Sequence, residues 1–301
     1  MRFLATASLV GTLLLSIACG GDSSSSSSSQ NSAPNGNWQI NLTQGEPPTN
    51  PQFAWSISGF LQHSDNSLTG SMVIPGNPKN LNCAGVGAIT GTLNGENVTI
   101  AVDEGGSTVN LTGSIASDNQ SMSGQYTTLA GGCTAKPTSG TWTASLIPTL
   151  TGKFTGTLAN STYMQVVTGI VPPTPIVVSG ELTQTSNIGA SNASLSGTIT
   201  AVDYPCFRTA YLTGTISGEN VLLSVFGLDG SQIGNLGSSS GNPPSPAIVS
   251  VSSGGISLNG LTNTQSGLVL GNGGSGPCPA ILDNNQQPLK ADTADVALTF
   301  Q

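Results

Sequence analysis

The sequence predicts an all-β protein made of two tandem antiparallel domains, each a meander of about eight strands. Three observations support this prediction: apolar and polar side chains alternate along most of the chain, a set of sequence blocks occurs twice, and turn residues recur at hairpin spacing. No stretch after the N-terminal segment has the period of an amphipathic helix. A meander of this kind closes into a barrel or stacks as a two-sheet sandwich.

Alternation is clear from the start of the first domain. Trp38, Ile40 and Leu42 are separated by single polar residues, and similar segments recur to the end of the chain. Because successive side chains of a strand point to opposite faces, these segments are predicted to be half-buried strands. Asn94-Gly95 predicts a two-residue hairpin of type I′, and Ser217-Gly218 is its weaker equivalent.

Three sequence blocks occur twice in the same order. The pairs are 57–61 with 178–182, 67–71 with 194–198, and 89–98 with 212–221. In each copy a cysteine, Cys83 or Cys206, precedes the last block by the same spacing. We therefore expect residues 37–147 and 150–301 to be two copies of one domain, the second with an insertion near residues 227–245.

A tripeptide of an apolar residue, then Thr, Ser or Asn, then Gly recurs in both copies. Ile89-Thr90-Gly91 and Leu212-Thr213-Gly214 are two examples. The apolar residue and the glycine lie two positions apart, so they share the inward face of a strand. An inward glycine permits a sharp bend or a close approach of a neighbouring backbone, which favours strong coiling of the sheet. The repeated tripeptide therefore favours a closed barrel over a sandwich.

The N-terminus combines a short basic start with an apolar run. Arg2 is followed by the apolar segment 3–15, and the run ends Leu15-Ser16-Ile17-Ala18-Cys19. This segment resembles the lipobox of bacterial lipoproteins, in which a small residue precedes the lipidated cysteine. The resemblance implies that residues 1–18 are a signal peptide. Residues 19–36, which include the serine tract 23–29, then form a flexible tether.

The lipoprotein resemblance also implies a partner and a location. Cys19 would carry the acyl chains, and two or more chains anchor a protein stably at ~0.8 kcal/mol per buried CH₂. Gly20 follows the cysteine, and the resemblance makes a glycine there compatible with export to the outer membrane. We therefore expect a lipid-anchored protein of the cell envelope, held on the outer membrane and facing either the periplasm or the cell surface.

The other four cysteines are expected to form disulfides, because the protein is exported. Four cysteines allow three connectivities, and the duplication selects Cys83–Cys133 and Cys206–Cys278. Each bridge would contribute about 4 kcal/mol in the chain-entropy model. No unpaired thiol then remains for catalysis or metal binding.

Composition excludes several classes of function. Removal of residues 1–18 leaves five basic and 14 acidic side chains, a net charge of −9, which is unsuited to binding nucleic acid. A single histidine, His63, in a predicted hairpin loop, is too little for a zinc or copper site or a catalytic triad. The acidic segments 103–106 and 229–231 are predicted to be ordinary turns rather than calcium loops. We predict no catalytic residue, no metal ligand and no cofactor.

The aromatic residues suggest where a ligand would bind. Trp38, Trp55 and Trp142 all lie in the first copy with inward parity, and they either fill the core or line a lumen together with Tyr126. Gly36-Asn37-Trp38 resembles the first strand of lipocalins. The segment 150–154 resembles the opening strand of avidin-type barrels, and neither resemblance carries over a ligand residue.

The leading functional hypothesis is a membrane-anchored, non-catalytic binding or interaction module of the envelope. Its ligand would be apolar, a glycan or a protein. A structural surface protein with no small ligand is the first alternative. The second alternative is a hydrolase that uses carboxylates dispersed in the sequence.

Overall fold

The computed structural model describes residues 34–45, 55–74, 85–130, 137–186, 189–238, 245–252, 255–271, 276–282 and 287–301. Cys19, the predicted signal peptide and most of the predicted tether lie outside these residues, as do Cys83 and Cys133. In the described part of the chain, no helix is long and apolar enough to cross a membrane.

The first domain is a closed antiparallel barrel of eight strands. Each strand pairs with the next along the chain, and β8 pairs with β1 to complete the ring. The strands are β1 (Gly36–Gln44), β2 (Trp55–Ser64), β3 (Ser67–Ile74), β4 (Gly85–Asn94), β5 (Asn97–Asp103), β6 (Thr108–Ile115), β7 (Ser121–Thr128) and β8 (Thr138–Ile147). The predicted meander and the preference for a barrel are both confirmed.

The second domain repeats this plan with additional elements. Its strands are β9 (Gly152–Ala159), β10 (Ile176–Ser186), β11 (Ala193–Thr200), β12 (Thr209–Ser217), β13 (Asn220–Phe226), β14 (Gln232–Leu236), β15 (Ala247–Ser252), β16 (Gly255–Gly260), β17 (Leu268–Leu270) and β20 (Asp292–Phe300). A small ribbon, β18 (Ile281–Leu282) and β19 (Pro288–Leu289), lies between β17 and β20 in sequence. The larger sheet closes because β12 pairs with β13 as well as with β11.

In the wall of the second barrel, two separate paths of paired strands connect β13 to β20. One half of β13 pairs with β14, which reaches β20 through β17, and the other half pairs with β15, which reaches β20 through β16. Either route gives a ring of eight strands. In the first barrel, the continuous strands β6 and β7 occupy the same places. The predicted insertion near residues 227–245 contains β14 and is the source of this difference.

Inward glycines bring neighbouring strands unusually close in both barrels. A Cβ atom at Gly124 would lie 1.9 Å from the carbonyl oxygen of Thr112, and one at Gly214 would lie 1.9 Å from that of Leu222. Gly59 pairs with Trp38 and Gly124 pairs with Trp142 in the register, and the backbone of the strand on the other side occupies the space that each glycine leaves. The role predicted for the recurring tripeptide, close backbone approach in a coiled sheet, matches this geometry.

The two predicted hairpins form, but their turns differ from the prediction. Asn94 pairs with Asn97, so the central residues are Gly95 and Glu96 rather than Asn94 and Gly95. Of the two central residues, only Gly95 has a positive φ, of 61°. One positive φ at the first central position is typical of a type II′ turn, in which glycine comes first. The predicted type I′ turn was therefore wrong.

The second barrel contains a short helix that the sequence pattern does not predict. In the described residues, α1 (Thr162–Thr168) is the one α-helix, and it lies between β9 and β10. Seven residues are too few to show a helical period, but both ends carry ordinary signals. The Ser161 hydroxyl accepts a hydrogen bond from the Met164 N–H, and Gly169 ends the helix with a left-handed φ of 67°.

Candidate functional site

The interior of the first barrel is occupied by its aromatic residues. Trp38 and Trp142 are 0% and 1% exposed, and both belong to one hydrophobic cluster that spans all eight strands. The indole N–H of Trp38 donates to the Pro34 carbonyl at 3.0 Å, and that of Trp142 donates to the Thr112 carbonyl at 3.1 Å. Because both N–H groups have protein partners, these residues have the burial and hydrogen bonding of core side chains.

The other two predicted ligand-lining residues, Trp55 and Tyr126, lie together near one end of the same barrel. Tyr126 is buried and Trp55 is half-buried. Burial raises the pKa of the Tyr126 hydroxyl above its ordinary value, and hydrogen bonds with Thr138 and Trp55 oppose that rise. The structure thus brings the four predicted residues into one barrel, where Trp38, Trp142 and Tyr126 are buried in the core and Trp55 packs against it.

His63 lies in a strand, and each acidic turn is stabilised by a hydrogen bond from its own backbone. His63 lies in β2 opposite Leu68 and is half-buried, so its predicted position in a loop was wrong. Asp103 accepts the Gly105 N–H, and Asp229 accepts the Ser231 N–H at 3.0 Å. Among the described residues, no three His, Cys, Asp or Glu side chains are grouped closely enough to hold a metal ion.

A disulfide joins Cys206 and Cys278 in the second barrel, as the duplication predicted. The two cysteines are separated by 72 residues in sequence, and both are buried. The bridge therefore connects the segment before β12 to the segment after β17. The second predicted bridge, Cys83–Cys133, lies outside the described residues.

The two barrels contact each other through a hydrogen-bonded turn. The Asn37 side chain donates to the Gly218 carbonyl at 2.8 Å and accepts the Gly218 N–H at 2.6 Å. The Gln39 side-chain oxygen accepts the Glu219 N–H at 3.2 Å. Asn37 and Gln39 are each 2% exposed, so these amides are desolvated and matched to one backbone segment.

Serines and a buried phenylalanine complete this contact. The Ser217 hydroxyl donates to the Ser58 carbonyl at 3.0 Å and lies 2.9 Å from the Ser191 carbonyl. Phe60 of the first barrel is 7% exposed and belongs to the hydrophobic cluster of the second barrel. Burial raises the pKa of the Glu219 carboxyl, next to this interface. The interface thus combines apolar packing with directional hydrogen bonds.

A groove of about 570 Å³ lies beside this interface. Residues from both barrels and from the connecting segment line it: Asn35, Gly36, Asn37, Phe60, Leu61, Gln62, His63, Ser64, Thr69, Leu146, Ile147, Pro148, Thr149, Gln184 and Ser186. Among the described residues that line the groove there is no Asp, Glu, Lys or Arg. The groove therefore offers neutral hydrogen-bonding groups beside an apolar surface.

The connecting segment is held in place next to the groove. The Gln184 side-chain oxygen accepts the Leu150 N–H at 3.0 Å, and the Gln184 N–H donates to the Thr151 hydroxyl at 3.0 Å. On the opposite rim, the Asn35 side chain accepts the His63 N–H at 2.5 Å. These contacts hold both rims of the groove in a defined geometry. The groove residues therefore lose less conformational entropy when a ligand binds.

A buried carboxylate organises one end of the second barrel. Asp292 is 2% exposed and accepts hydrogen bonds from four groups. These donors are the Ser161 hydroxyl at 2.7 Å, the Thr162 hydroxyl at 2.9 Å, the Tyr163 N–H at 2.9 Å and the Tyr204 hydroxyl. Burial, together with the charge of Asp292, raises the pKa of Tyr204. No motif indicated this network, because its members are up to 131 residues apart in sequence.

A cavity of about 740 Å³ lies in the second barrel, beside the insertion that the first barrel lacks. Its walls come from the start of β12, the turn between β13 and β14, and the segment before the disulfide. Arg208, Asp229, Gln232 and Asn235 are the polar side chains that matter for its chemistry. No pattern in the sequence indicates this cavity, because its walls are far apart in the chain.

The geometry thus presents two open sites, the groove between the barrels and the cavity of the second barrel, and none of Trp38, Trp55, Trp142 and Tyr126 lines either. Comparison with known proteins adds no further assignment. No protein-family model, no curated protein and no solved structure matches this chain.

Proposed function

We propose that this protein is a lipid-anchored, non-catalytic binding module of a bacterial cell envelope, and that the groove between its barrels holds the ligand. The observation that carries the proposal is the neutral lining of a groove built from both copies and the segment that joins them. Sites between domains are common places for ligands, because two rigid walls meet there.

The lining favours an uncharged ligand. A charged group in this groove would lose water without gaining a partner among Asp, Glu, Lys or Arg, since the described lining residues include none of these. Phe60, Leu146 and Pro148 offer apolar contact, while Gln62 and Gln184 offer amide groups. An uncharged glycan or peptide segment with one apolar face suits this combination.

Ligand binding is tested with the mature protein in detergent micelles. We expect at least one member of a panel of neutral oligosaccharides and neutral peptides to raise the thermal midpoint, since a ligand of the folded state stabilises it. Gln62→Ala should weaken that shift, whereas Gln125→Ala, at an exposed position of β7 outside the groove, should leave it unchanged. Equal effects of the two substitutions would contradict binding in the groove.

The lipid anchor has a separate test. Cys19→Ala should abolish the acyl modification that mass spectrometry detects on the mature N-terminus, and should release the protein from the membrane fraction. A variant that is processed and membrane-associated like the original would refute the anchor, without bearing on the groove.

A structural surface protein is the second candidate, and the filled first barrel favours it. Trp38, Trp142 and Tyr126 are all at most 2% exposed, so a ligand has no access to these side chains in the barrel interior. If none of the panel binds, this candidate replaces the first.

A further inference from the structure

The cavity of the second barrel has features of a separate ligand site. The polar side chains that line it have no equivalent side chain in the first barrel. The register of the two copies places Arg208 at the position of Gly85, which has no side chain. The turn that carries Asp229 joins β13 to β14, within the predicted insertion.

The walls of this cavity are held by cross-links and hydrogen bonds. The Cys206–Cys278 disulfide ties two of the walls together. In the turn, the Gly227 N–H donates to the Ser231 carbonyl at 2.8 Å, and the Asp229 carboxylate accepts the Ser231 hydroxyl at 2.6 Å. A cavity with walls held in this way needs little ordering when a ligand enters.

The cavity contains one cation and one anion that do not pair with each other. Arg208 is exposed, and among the described residues its guanidinium has neither an ion pair nor a hydrogen bond. Hydrogen bonds from Ser231 lower the pKa of Asp229, so its carboxylate is ionised at neutral pH. The cavity therefore offers a strong donor and a strong acceptor at the same time.

Two amides extend this set of polar groups. The Gln232 side-chain nitrogen donates to the Asn235 side-chain oxygen at 2.7 Å, and the Ser224 hydroxyl donates to the same oxygen at 3.3 Å. These bonds fix the orientation of both amides. The Asn235 amide nitrogen and the Gln232 carbonyl oxygen then have no protein partner among the described residues.

We propose that this cavity is a saccharide site in which Arg208 donates to ligand hydroxyls and Asp229 accepts from them. Hydroxyl groups both donate and accept, so one neutral ligand satisfies the guanidinium, the carboxylate and the amides together. Hydrogen bonds that involve a charged partner are stronger than neutral ones, which suits a cavity that is open to water. This site is independent of the groove, and either can fail without the other.

The experiment titrates the mature protein in detergent micelles with cellobiose and chitobiose, followed by saturation-transfer difference NMR. We expect at least one disaccharide to bind at millimolar concentrations. Arg208→Gln and Asp229→Asn should each lower the affinity about tenfold or more, which corresponds to ~1.4 kcal/mol. Asp229→Asn keeps a side-chain oxygen for the turn, so the fold is preserved.

Two controls make the result decisive. Lys153→Gln removes the same charge at an exposed position outside the cavity and should not change the affinity. Inorganic phosphate serves as a second probe, because a simple anion site would bind phosphate but neither disaccharide. Failure of both disaccharides to bind, with or without phosphate binding, or equal losses in Arg208→Gln and Lys153→Gln would overturn the proposal.

Discussion

The β4–β5 turn of the first barrel and the β12–β13 turn of the second have the same sequence, Gly-Glu-Asn-Val, in different surroundings. Gly95 has a φ of 61°, and a Cβ atom there would meet nothing within 4 Å. Gly218 has a φ of 56°, and a Cβ atom there would lie 2.1 Å from the Gln39 side-chain oxygen. The same local sequence therefore makes a free turn in one copy and an interdomain contact in the other.

The faces that could receive such a turn also differ. On the first barrel, Asn37 and Phe60 form the buried receiving surface. The register places Lys153 and Glu181 at the matching positions of the second barrel, where both are exposed. A third copy could not dock there by the same contacts, because charges replace the amide and the phenyl ring. Small changes at equivalent positions thus give the two copies different surfaces at this face.

The tryptophans allow the two barrels to be followed separately. Trp38, Trp55 and Trp142 all lie in the first barrel, so tryptophan fluorescence reports its unfolding. Far-UV circular dichroism reports both barrels. Urea unfolding followed by these two signals measures the stability of each barrel in every variant.

The largest expected effect comes from removing the disulfide of the second barrel. The double substitution of Cys206 and Cys278 by serine opens a loop of 72 residues and should cost the second barrel about 4 kcal/mol. The circular dichroism transition should move to lower urea, while the fluorescence transition moves much less. A parallel shift of both signals would show that the barrels unfold as one unit.

Asp292→Ala should have the next largest effect. It leaves the donors of Ser161, Thr162 and Tyr204 without their buried acceptor, which should cost about 3 kcal/mol in the second barrel. Thr138→Ala is the matched control, since the register places Thr138 at the equivalent position of β8. It loses the side-chain hydrogen bonds to Thr128 and Tyr126 and should cost about 1.5 kcal/mol. Similar costs would contradict a special role for the carboxylate.

Gly218→Ala and Gly95→Ala separate the cost of the turn from the cost of the interface. Both substitutions put a side chain at a positive φ, for about 1 kcal/mol each. Gly218→Ala also forces a methyl group against Gln39 and Ser58 and should cost about 2 kcal/mol more. Equal destabilisation by the two variants would mean that the interface contributes no stability.

Glu219→Gln should have the smallest effect, and that effect should depend on pH. Burial raises the pKa of Glu219 in the folded state, so the folded chain binds more protons than the unfolded chain between the unfolded value and the raised one. The free energy of unfolding should therefore fall as the pH rises through this window, and Glu219→Gln should remove that fall. The change should stay below about 1 kcal/mol, since the carboxyl is half-exposed.

Glu96→Gln is the control for this measurement, because it removes the same charge from the exposed turn of the first barrel. The two variants should differ most above the window, where the Glu219 carboxyl is ionised. If both variants change stability equally at every pH, the effect comes from net charge rather than from the interface.

Much of the architecture could be predicted from residues alone, because it depends on local patterns. Alternation around Trp38 predicted strands, and the repeated glycines, such as Gly91 and Gly214, predicted a coiled sheet that closes. The candidate sites could not be predicted. Gln184 of the second barrel lines the groove together with residues of the first barrel. Arg208 lines its cavity together with a turn that lies about 20 residues further along the chain.

The sequence by itself determined the all-β class, the duplication and the pairing of Cys206 with Cys278, since each depends on spacing and period. Only the tertiary structure decided that Gly218 contacts the other barrel while Gly95 is free, and that Asp292 accepts hydrogen bonds from two distant segments, 161–163 and Tyr204. The physical reason is that hydrogen bonds and close packing act over a few ångströms in space. Residues far apart in the chain meet these conditions only after both barrels have closed and docked.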